Sequence, residues 1–232
     1  YPPYLSPAQR EVIRSAAKAA GVTVDSMVVD PLAAIAAYED QFGPGKHTVL
    51  VFDCGQTDTV VSIFKGNNNN YRQLCTAVDS VGGDDINYSA GSFLSREFRA
   101  TYRKNLSRDE RGMKLLRDAI EVAKKELRGN NEIELNIPGI VEGVDYKDVI
   151  SREKFDYITE DVYDRAAGQI NAALELAKIT EKDLTHVILS GGSSKLESMK
   201  ATVRAVTAKE PFDTIDPQNV VAIGAAKLAS KL

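Results

Sequence analysis

Cysteine and histidine are scarce in this chain of 232 residues, which contains two of each. A zinc site usually needs a cluster of these residues at short spacing, and the sequence has no such cluster. Cys54 and Cys75 lie inside apolar, strand-like segments. We therefore expect two buried free thiols in a reducing compartment, which favours a cytoplasmic protein over a disulfide-bonded secreted one.

Long apolar runs and an excess of positive charge are also absent. No apolar segment approaches the roughly 20 residues that span a bilayer, and we recognise no secretory leader at the start of the sequence, so we expect no membrane association. The net charge is −4, whereas a direct nucleic-acid binder needs a basic face to meet the phosphate backbone. With 43% hydrophobic and 27% charged residues, the chain has the composition of an ordinary globular protein.

Strand-like and helix-like segments alternate along the chain, without an internal repeat. β-Branched and apolar runs predict strands over residues 48–52, 59–65 and 71–78, the last two joined by a hairpin across residues 66–70. Apolar residues at helical spacing predict a helix over residues 111–127. This alternation predicts an α/β fold with a mixed sheet and a helical subdomain.

The remaining segments follow the same two patterns. They predict helices over residues 7–20, 30–38 and 84–101, a short buried strand at 26–29, a hairpin of 132–137 with 141–149, a long helix capped by Ser151, a strand at 183–190, and helices at 196–206 and 216–229. Ser6 and Pro7 supply the hydroxyl cap and the first-position proline of the first helix.

Three glycine turns follow the predicted strands or open helices: Gly55, the pair Gly82 and Gly83, and the pair Gly191 and Gly192. Because glycine has no Cβ, backbone N–H groups in such turns can close on a flat or anionic ligand. We expect these distant segments to assemble one nucleotide site. The alternative is that each glycine only permits a tight turn between packed elements.

Two aspartates are candidates for metal and water chemistry. Asp53 ends a buried strand and precedes Gly55, an arrangement that suits a metal-bound nucleotide. Asp30 stands just before a helix and could position a water molecule or a hydrated magnesium ion. The alternative for Asp30 is an ordinary helix cap.

A charged ridge lies beside the apolar stripe of the helix over residues 111–127. Glu121, Lys124, Lys125 and Arg128 recur at spacings of three and four residues, which places them on one side. With Gly192, Ser193 and Lys195, this ridge could form a slot for a purine. The alternative is a solvated face whose charges pair with one another.

Six segments resemble, in order and spacing, motifs of the 70-kDa heat-shock chaperones. They are the run Asp30-Pro31-Leu32-Ala33-Ala34-Ile35-Ala36-Ala37-Tyr38, the phosphate-loop segment Asp53-Cys54-Gly55, the turn Val81-Gly82-Gly83-Asp84-Asp85, the pair Glu121 and Lys124, the loop Leu189-Ser190-Gly191-Gly192-Ser193-Ser194-Lys195, and the segment that begins at Asp216-Pro217 and ends Ile223-Gly224-Ala225-Ala226. The resemblance extends over essentially all 232 residues.

The resemblance implies the rear part of an actin-like ATPase domain of the ribonuclease H-like class. Residues 1–45 would be a helix–strand–helix segment of the first lobe. Residues 46–232 would be the second lobe, with a helical and hairpin subdomain at about 84–150. The first phosphate loop, the catalytic lysine and the peptide-binding domain of the family are not expected in this chain.

The resemblance also implies ATP or ADP with Mg²⁺ as cofactors. Asp30 and Asp53 would be the catalytic carboxylates, and Asp53 would reach the metal through water. The nucleotide would contact Gly55, Gly82, Gly83, Glu121, Lys124, Arg128, Gly191, Gly192, Ser193 and Lys195. The implied partners are a J-domain co-chaperone, a nucleotide-exchange factor, and an unfolded or nascent polypeptide bound by a part outside this chain.

Departures from the family motifs are concentrated in the phosphate loop. Gln56 and Thr57 replace two glycines, Asp58 replaces a threonine, and Val60 replaces a second aspartate. A carboxylate facing a triphosphate is repulsive unless a metal intervenes. We therefore predict weak or absent ATP hydrolysis, with an active chaperone motor that drives client release as the alternative.

The purine end departs less from the family pattern. Lys195 keeps the charge of the family's arginine, Arg128 replaces a small hydroxyl, and Gln218 replaces an acid. This combination resembles the divergent, ribosome-associated branch that pairs with zuotin-type J-proteins, as does the hairpin segment Val141-Glu142-Gly143-Val144-Asp145-Tyr146. A sugar or acetate kinase of the same superfamily is a weaker reading, because no acceptor-sugar motif is apparent.

Overall fold

The computed structural model describes residues 1–68 and 70–231. Its central sheet contains β1 (His47–Cys54), β2 (Thr59–Asn67), β3 (Asn70–Asp79) and β6 (His186–Ser190), in the order β3-β2-β1-β6. The first three strands are antiparallel neighbours, and β6 runs parallel to β1. The predicted α/β class and mixed sheet are confirmed. In the predicted β2–β3 hairpin Asn67 pairs with Asn70, and Asn69 lies outside the described residues.

β1 is buried on both faces because its alternate residues enter two separate cores. Leu50, Phe52 and Cys54 pack into the larger core, which contains the helices on one side of the sheet. Val49 and Val51 pack into the smaller core on the other side. A strand covered on both faces requires a continuous apolar run, which is the pattern that predicted β1.

Eight helices and a hairpin surround this sheet in the described part of the chain. They are α1 (Pro7–Ala19), α2 (Asp30–Tyr38), α3 (Gly83–Tyr102), α4 (Glu110–Glu126), the hairpin β4 (Glu132–Val141) with β5 (Val144–Ser151), α5 (Arg152–Ile158), α6 (Glu160–Ala177), α7 (Glu197–Thr207) and α8 (Val220–Ala229). α6 covers β2 and β3, α2 packs on α8, and α4 contacts both α3 and β4. Among the described residues, no helix combines the length and apolarity needed to cross a membrane.

Two predicted elements have the wrong extent. The long helix capped by Ser151 is divided into α5 and α6 at Thr159. The Thr159 hydroxyl is buried and donates to the Phe155 carbonyl oxygen at 2.8 Å, which competes with the regular helical hydrogen bond. The last helix begins at Val220 instead of residue 216, because Asp216 and Pro217 form a turn before it.

The strand predicted at residues 26–29 is wrong, because this segment has no ladder partner among the described residues. Its backbone instead meets the start of the chain. The amino group of Tyr1 donates to the Val28 carbonyl oxygen at 2.8 Å, and the Asp30 N–H donates to the Tyr1 carbonyl oxygen at 2.8 Å. Of the two cysteines, both free as predicted, Cys54 is buried and Cys75 is only half-buried.

Candidate functional site

The three glycine turns meet at one end of the sheet. Because β6 lies beside β1, with Asp53 opposite Ser190, the turn after β6 is adjacent to the turn after β1. The Gly83 N–H donates to the Gly55 carbonyl oxygen at 3.1 Å, and the Ser193 hydroxyl donates to the same oxygen at 2.7 Å. Segments far apart in sequence therefore lie together at one end of the sheet, and that they form a nucleotide site stays a prediction.

Two of these glycines are required by the close approach of the turns. Gly191 has a φ of +84°, and a Cβ at this position would lie 2.6 Å from Asp53 Oδ1. A Cβ at Gly83 would lie 2.6 Å from Ser193 Oγ and 3.1 Å from Lys124 Nζ. Larger residues at either position would push the three turns apart.

An open cleft of about 920 Å³ lies over the meeting point, within the size range of small-molecule sites. Seven of the predicted nucleotide contacts line it: Gly55, Gly83, Glu121, Lys124, Arg128, Gly192 and Ser193. Gly82 and Gly191 do not line it and instead support the turns from behind. Lys195 does not line it either, because its ammonium group bonds to Asp216 Oδ2 at 2.8 Å.

One side of the cleft is built from α4 and carries an ion pair between the buried Lys124 and the half-buried Glu121. Lys124 Nζ lies 2.6 Å from Glu121 Oε2 and donates to the Gly83 carbonyl oxygen at 3.0 Å. Burial would raise the pKa of Glu121, but hydrogen bonds from Lys124, Asn87 and Lys125 together lower this pKa to about 2. The charges of the ridge pair with one another, as the alternative of a self-paired face predicted. Lys124, however, is buried and not exposed to solvent.

Arg128 connects α4 to the third glycine turn. It lies in the turn just after the helix, and its Nη2 donates to the Gly192 carbonyl oxygen at 2.9 Å. Gln218, from the turn before α8, lies on the other side of Gly192 and lines the same cleft. At the predicted adenosine end, the glycine turn at Gly192 therefore forms a floor, and α4 forms a side wall.

The two predicted catalytic carboxylates lie below the cleft, and neither lines it. The pKa of Asp53 is raised to about 6, mainly by burial and in smaller part by the carboxylates of Asp30 and Asp58, against the effect of a hydrogen bond from the Ser190 hydroxyl at 3.0 Å. The Asp30 carboxylate accepts from the amino group of Tyr1 at 2.6 Å. Three carboxylates thus converge where the phosphates of a nucleotide would lie.

The phosphate loop satisfies its own polar groups. The Gly55 N–H donates to the Asp58 carbonyl oxygen at 2.9 Å, so it is not free for a phosphate oxygen. The Gln56 amide donates to the Asp84 carboxylate at 3.0 Å. The Tyr4 hydroxyl donates to Asp58 Oδ2 at 2.7 Å, and this hydrogen bond is the main cause that raises the pKa of Tyr4 to about 12.

The two ends of the cleft therefore fit a nucleotide unequally. At the adenosine end, Asn87 Oδ1 and Arg128 Nε are buried without a hydrogen-bond partner, and such atoms are costly unless a ligand or water satisfies them. At the phosphate end, the loop carries the Asp58 carboxylate and the side chains of Gln56 and Thr57. Within residues 1–68 and 70–231, no cluster of three or more acidic, histidine or cysteine side chains could hold a metal directly.

The sequence motifs did not identify several residues that line the cleft or contact its loops. Asn87 lies one helical turn after Gly83 on α3, so its helical spacing could have indicated that it faces the cleft. Tyr88 and Arg117 also line the cleft but carry no motif. The contact between Tyr4 and Asp58 joins positions 54 residues apart, and no local pattern indicates it.

Comparison with known families gives one result. A family model described as "Hsp70 protein" matches residues 1–232. The match includes all three glycine turns, α4 and the phosphate loop, so it covers both ends of the cleft.

Proposed function

Because this chain belongs to the Hsp70 family, we propose that it is a nucleotide-binding part of a chaperone that binds ATP or ADP and hydrolyses ATP slowly or not at all. Its mixed α/β architecture is consistent with the actin-like ATPase fold of the family. Family members generally bind ATP or ADP with Mg²⁺, and their usual partners are J-domain proteins and nucleotide-exchange factors.

The observation that carries the proposal is the unequal cleft. Its adenosine end has the ion pair of Glu121 with the buried Lys124, and the hydrogen bond from Lys124 to the Gly83 carbonyl oxygen links this pair to the second glycine turn. A pre-formed, hydrogen-bonded wall of this kind binds a nucleoside without reorganisation. Nucleotide binding is therefore expected to depend on this end.

The phosphate end supports the prediction of slow hydrolysis. Phosphoryl transfer needs donors and metal ions aimed at the developing negative charge. Here Asp58 adds negative charge, and the Gly55 N–H is already bonded within its own loop. Gln56 and Thr57 place side chains where bare backbone would have to approach a phosphate.

We place residues 1–45 with the first lobe and residues 46–232 with the second, with a helical and hairpin subdomain at about 84–150. In support, α3, α4 and the β4–β5 hairpin contact one another away from the sheet. α2 shares the smaller core with β1 and packs on α8. The smaller core therefore extends across the proposed boundary at residue 45, which separates lobes and does not separate cores in this proposal.

The partners and the compartment belong to the same proposal. We assign the chain to the cytoplasm and to protein folding and the stress response, with a J-domain co-chaperone and a nucleotide-exchange factor as partners. The degraded phosphate loop and the hairpin sequence at 141–146 favour the ribosome-associated branch, and hence nascent chains as clients. We expect neither membrane association nor direct binding to nucleic acid.

An active chaperone motor that releases its client on ATP turnover is the second candidate. It is favoured by the position of Asp53, which ends β1 beside the meeting point of the turns, and by Asp30 close enough to affect its ionisation. The same pair of carboxylates would then activate water and hold a hydrated Mg²⁺. The negative charge of Asp58 in the phosphate loop argues against this candidate function.

Calorimetric titration of this chain with ADP and with ATP, each with Mg²⁺, tests the proposal. Because contacts from the first lobe would be missing, we expect weak binding, with a dissociation constant on the order of 0.1 mM or higher, or about 5 kcal/mol. Submicromolar ATP binding would contradict this expectation. ATP hydrolysis at the ordinary rate of the family, by a protein with both lobes, would favour the motor instead.

A further inference from the structure

Both histidines of the chain lie together at the end of the sheet opposite the cleft. His47 begins β1 and His186 begins β6, and these two ends are adjacent because the strands are parallel neighbours. His186 Nε2 lies 3.2 Å from His47 Nδ1, and His47 Nε2 lies 3.1 Å from the Gly43 carbonyl oxygen. Two imidazole rings and one carbonyl group therefore form a short hydrogen-bonded chain.

The carbonyl group at the end of this chain determines where the imidazole protons are. A carbonyl oxygen only accepts, so His47 donates from Nε2, and in a neutral ring its Nδ1 is then the acceptor. His186 in turn donates from Nε2 to His47 Nδ1. All three hydrogen-bonding groups are satisfied when both imidazoles are neutral.

Phe42 covers the histidine pair from the side of the smaller core. Its ring is buried and stacks on His186, with the ring centroids 4.1 Å apart and an interplanar angle of 14°. Phe212 contacts Phe42 and His186 at centroid distances of 5.6 and 5.5 Å. Because His47 is also buried, a positive charge on either imidazole would be poorly hydrated.

The charged groups around the pair do not favour protonation. Within residues 1–68 and 70–231, neither imidazole forms an ion pair with a carboxylate. The carboxylates on the neighbouring segments interact elsewhere: Asp40 with Lys227, Asp213 with Lys200, and Glu39 with Tyr71. Burial is the main cause that lowers the pKa of His186 below its ordinary value of 6.5, and His47 and Lys209 act in the same direction. Lys46, beside His47, is exposed and adds further positive charge.

Protonation would disturb the contact between the two rings. If His47 takes a proton, its new Nδ1–H faces the Nε2–H of His186 until that ring moves its own proton to Nδ1. If both rings are protonated, two N–H donors and two positive charges face each other at 3.2 Å, and the contact has to open. Because the pKa of His186 is lowered in the folded state, the associated stability is complete above about pH 6.5 and is lost as the pH falls.

From this geometry we propose that His47, His186 and Phe42 form a proton-sensitive clamp, which holds the connector at residues 43–45 at neutral pH and releases it in mildly acidic solution. The connector joins the helical turn Glu39–Gln41, which follows α2, to β1. A Cβ at Gly43 or Gly45 would meet no atom within 4 Å, so little packs against these two residues besides the bond from His47. The clamp does not depend on nucleotide binding.

Amide hydrogen exchange measured by NMR at pH 7.5 and pH 5.5 tests the clamp on this chain. The Phe42 N–H donates to the Glu39 carbonyl oxygen at 3.1 Å. Its protection factor should fall roughly tenfold at the lower pH, since opening removes at least one buried hydrogen bond. Val51, in the middle of β1, is the internal reference and should change by less than about threefold. Ring ¹⁵N shifts at pH 7.5 should show both histidines protonated at Nε2.

His186→Gln is the matched variant, because its amide can still donate to His47 Nδ1 but does not titrate in this range. It should keep Phe42 protected at pH 5.5. Lys209→Gln removes a positive charge that acts on His186, so the clamp should open at a higher pH, and this variant tests the proposal even if His186→Gln fails to fold. Unchanged protection of Phe42 in the unmodified chain, an equal loss in His186→Gln or at Val51, opening of Lys209→Gln at a lower pH, or an Nδ1–H tautomer of His47 at pH 7.5 would each overturn the clamp.

Discussion

The adenosine end and the phosphate end of the cleft are built from the same three turns but satisfy their polar groups differently. At the adenosine end, Lys124 and Glu121 bridge α4 to the second turn, and two polar atoms remain buried and unpaired. At the phosphate end, the Gly55 N–H is bonded within its own loop, and the Asp58 carboxylate accepts from Tyr4. The adenosine end keeps polar atoms without a partner, whereas the polar groups of the phosphate end are paired within the protein.

Under the proposed function, this difference would let the site lose hydrolysis and keep nucleotide binding. The family's fold brings the turns together through packing and backbone hydrogen bonds, which do not depend on Gln56, Thr57 or Asp58. Substitutions in the phosphate loop can therefore accumulate without disturbing the adenosine wall. Binding and hydrolysis are separable because different residues support them.

The largest expected effect comes from restoring the phosphate loop. Changing Gln56→Gly, Thr57→Gly, Asp58→Thr and Val60→Asp together should raise ATP turnover roughly 100-fold, because a single misplaced transition-state contact has an effect of this size. The measurement is single-turnover hydrolysis in a protein that contains both lobes. ADP affinity serves as the internal control and should stay within about threefold. A normal family rate before the change would show that the altered loop is tolerated.

Asp53 should destabilise the fold at neutral pH. Its pKa is raised to about 6 from the ordinary value of 3.8, so the folded state binds the proton more tightly. The associated stability is complete below about pH 4 and is lost as the pH rises through 6. We expect Asp53→Asn to raise the free energy of unfolding at pH 8 by about 3 kcal/mol, with little effect at pH 4.

Urea unfolding of the Asp53→Asn variant at both pH values, with EDTA and without nucleotide, measures this difference. Ser190→Ala is the companion variant, because it removes the hydrogen bond that favours the Asp53 carboxylate. It should lower stability at pH 8 more than at pH 4. Equal effects of Asp53→Asn at the two pH values would contradict the assigned pKa.

At the adenosine end, Lys124→Met should weaken ADP binding about tenfold, because the Glu121 carboxylate and the Gly83 carbonyl oxygen both lose a donor. Lys125→Met is the matched control. Both lysines pair with Glu121, but the side chain of Lys124 is 5% exposed and that of Lys125 is 59% exposed. Exposed pairs contribute little. Equal losses in the two variants would show that Lys124 has no special role.

The smallest expected effect concerns the contact between Tyr4 and Asp58. Asp58→Asn removes the charge that stabilises the protonated phenol, so the pKa of Tyr4 should fall from about 12 toward its ordinary value of 10. Ultraviolet titration of the tyrosines would detect this change. Stability should change by less than about 1 kcal/mol, because the hydrogen bond is exposed. An unchanged pKa would show that Tyr4 does not engage the loop.

The sequence predicted the sheet well because burial on both faces imposes a strong local pattern. β1 and β6 are continuous apolar runs that end at glycine, and α4 has a clear apolar stripe. The meeting of the three turns was also predictable, since it follows from strand ends that carry glycine. These features depend on neighbours in sequence and on the general rules of α/β folds.

Other features depend on partners that are distant in sequence. The segment at 26–29 resembles a strand, but a strand needs a ladder partner, and here the Val28 carbonyl oxygen instead accepts from the amino group of Tyr1. The division of α5 from α6 depends on one buried hydroxyl at Thr159. At the site, the hydrogen bond from Arg128 to the Gly192 carbonyl oxygen depends on side-chain orientation, which spacing does not reveal.

The most direct test of the unequal cleft is the change in affinity as phosphates are added to a nucleoside. Calorimetry with AMP, ADP and ATP, each with Mg²⁺, on this chain would give the change in affinity for each added phosphate. We expect the three dissociation constants to differ by no more than about threefold, because the phosphate end contributes few donors. An affinity that rises tenfold or more from the monophosphate to the triphosphate would contradict this view.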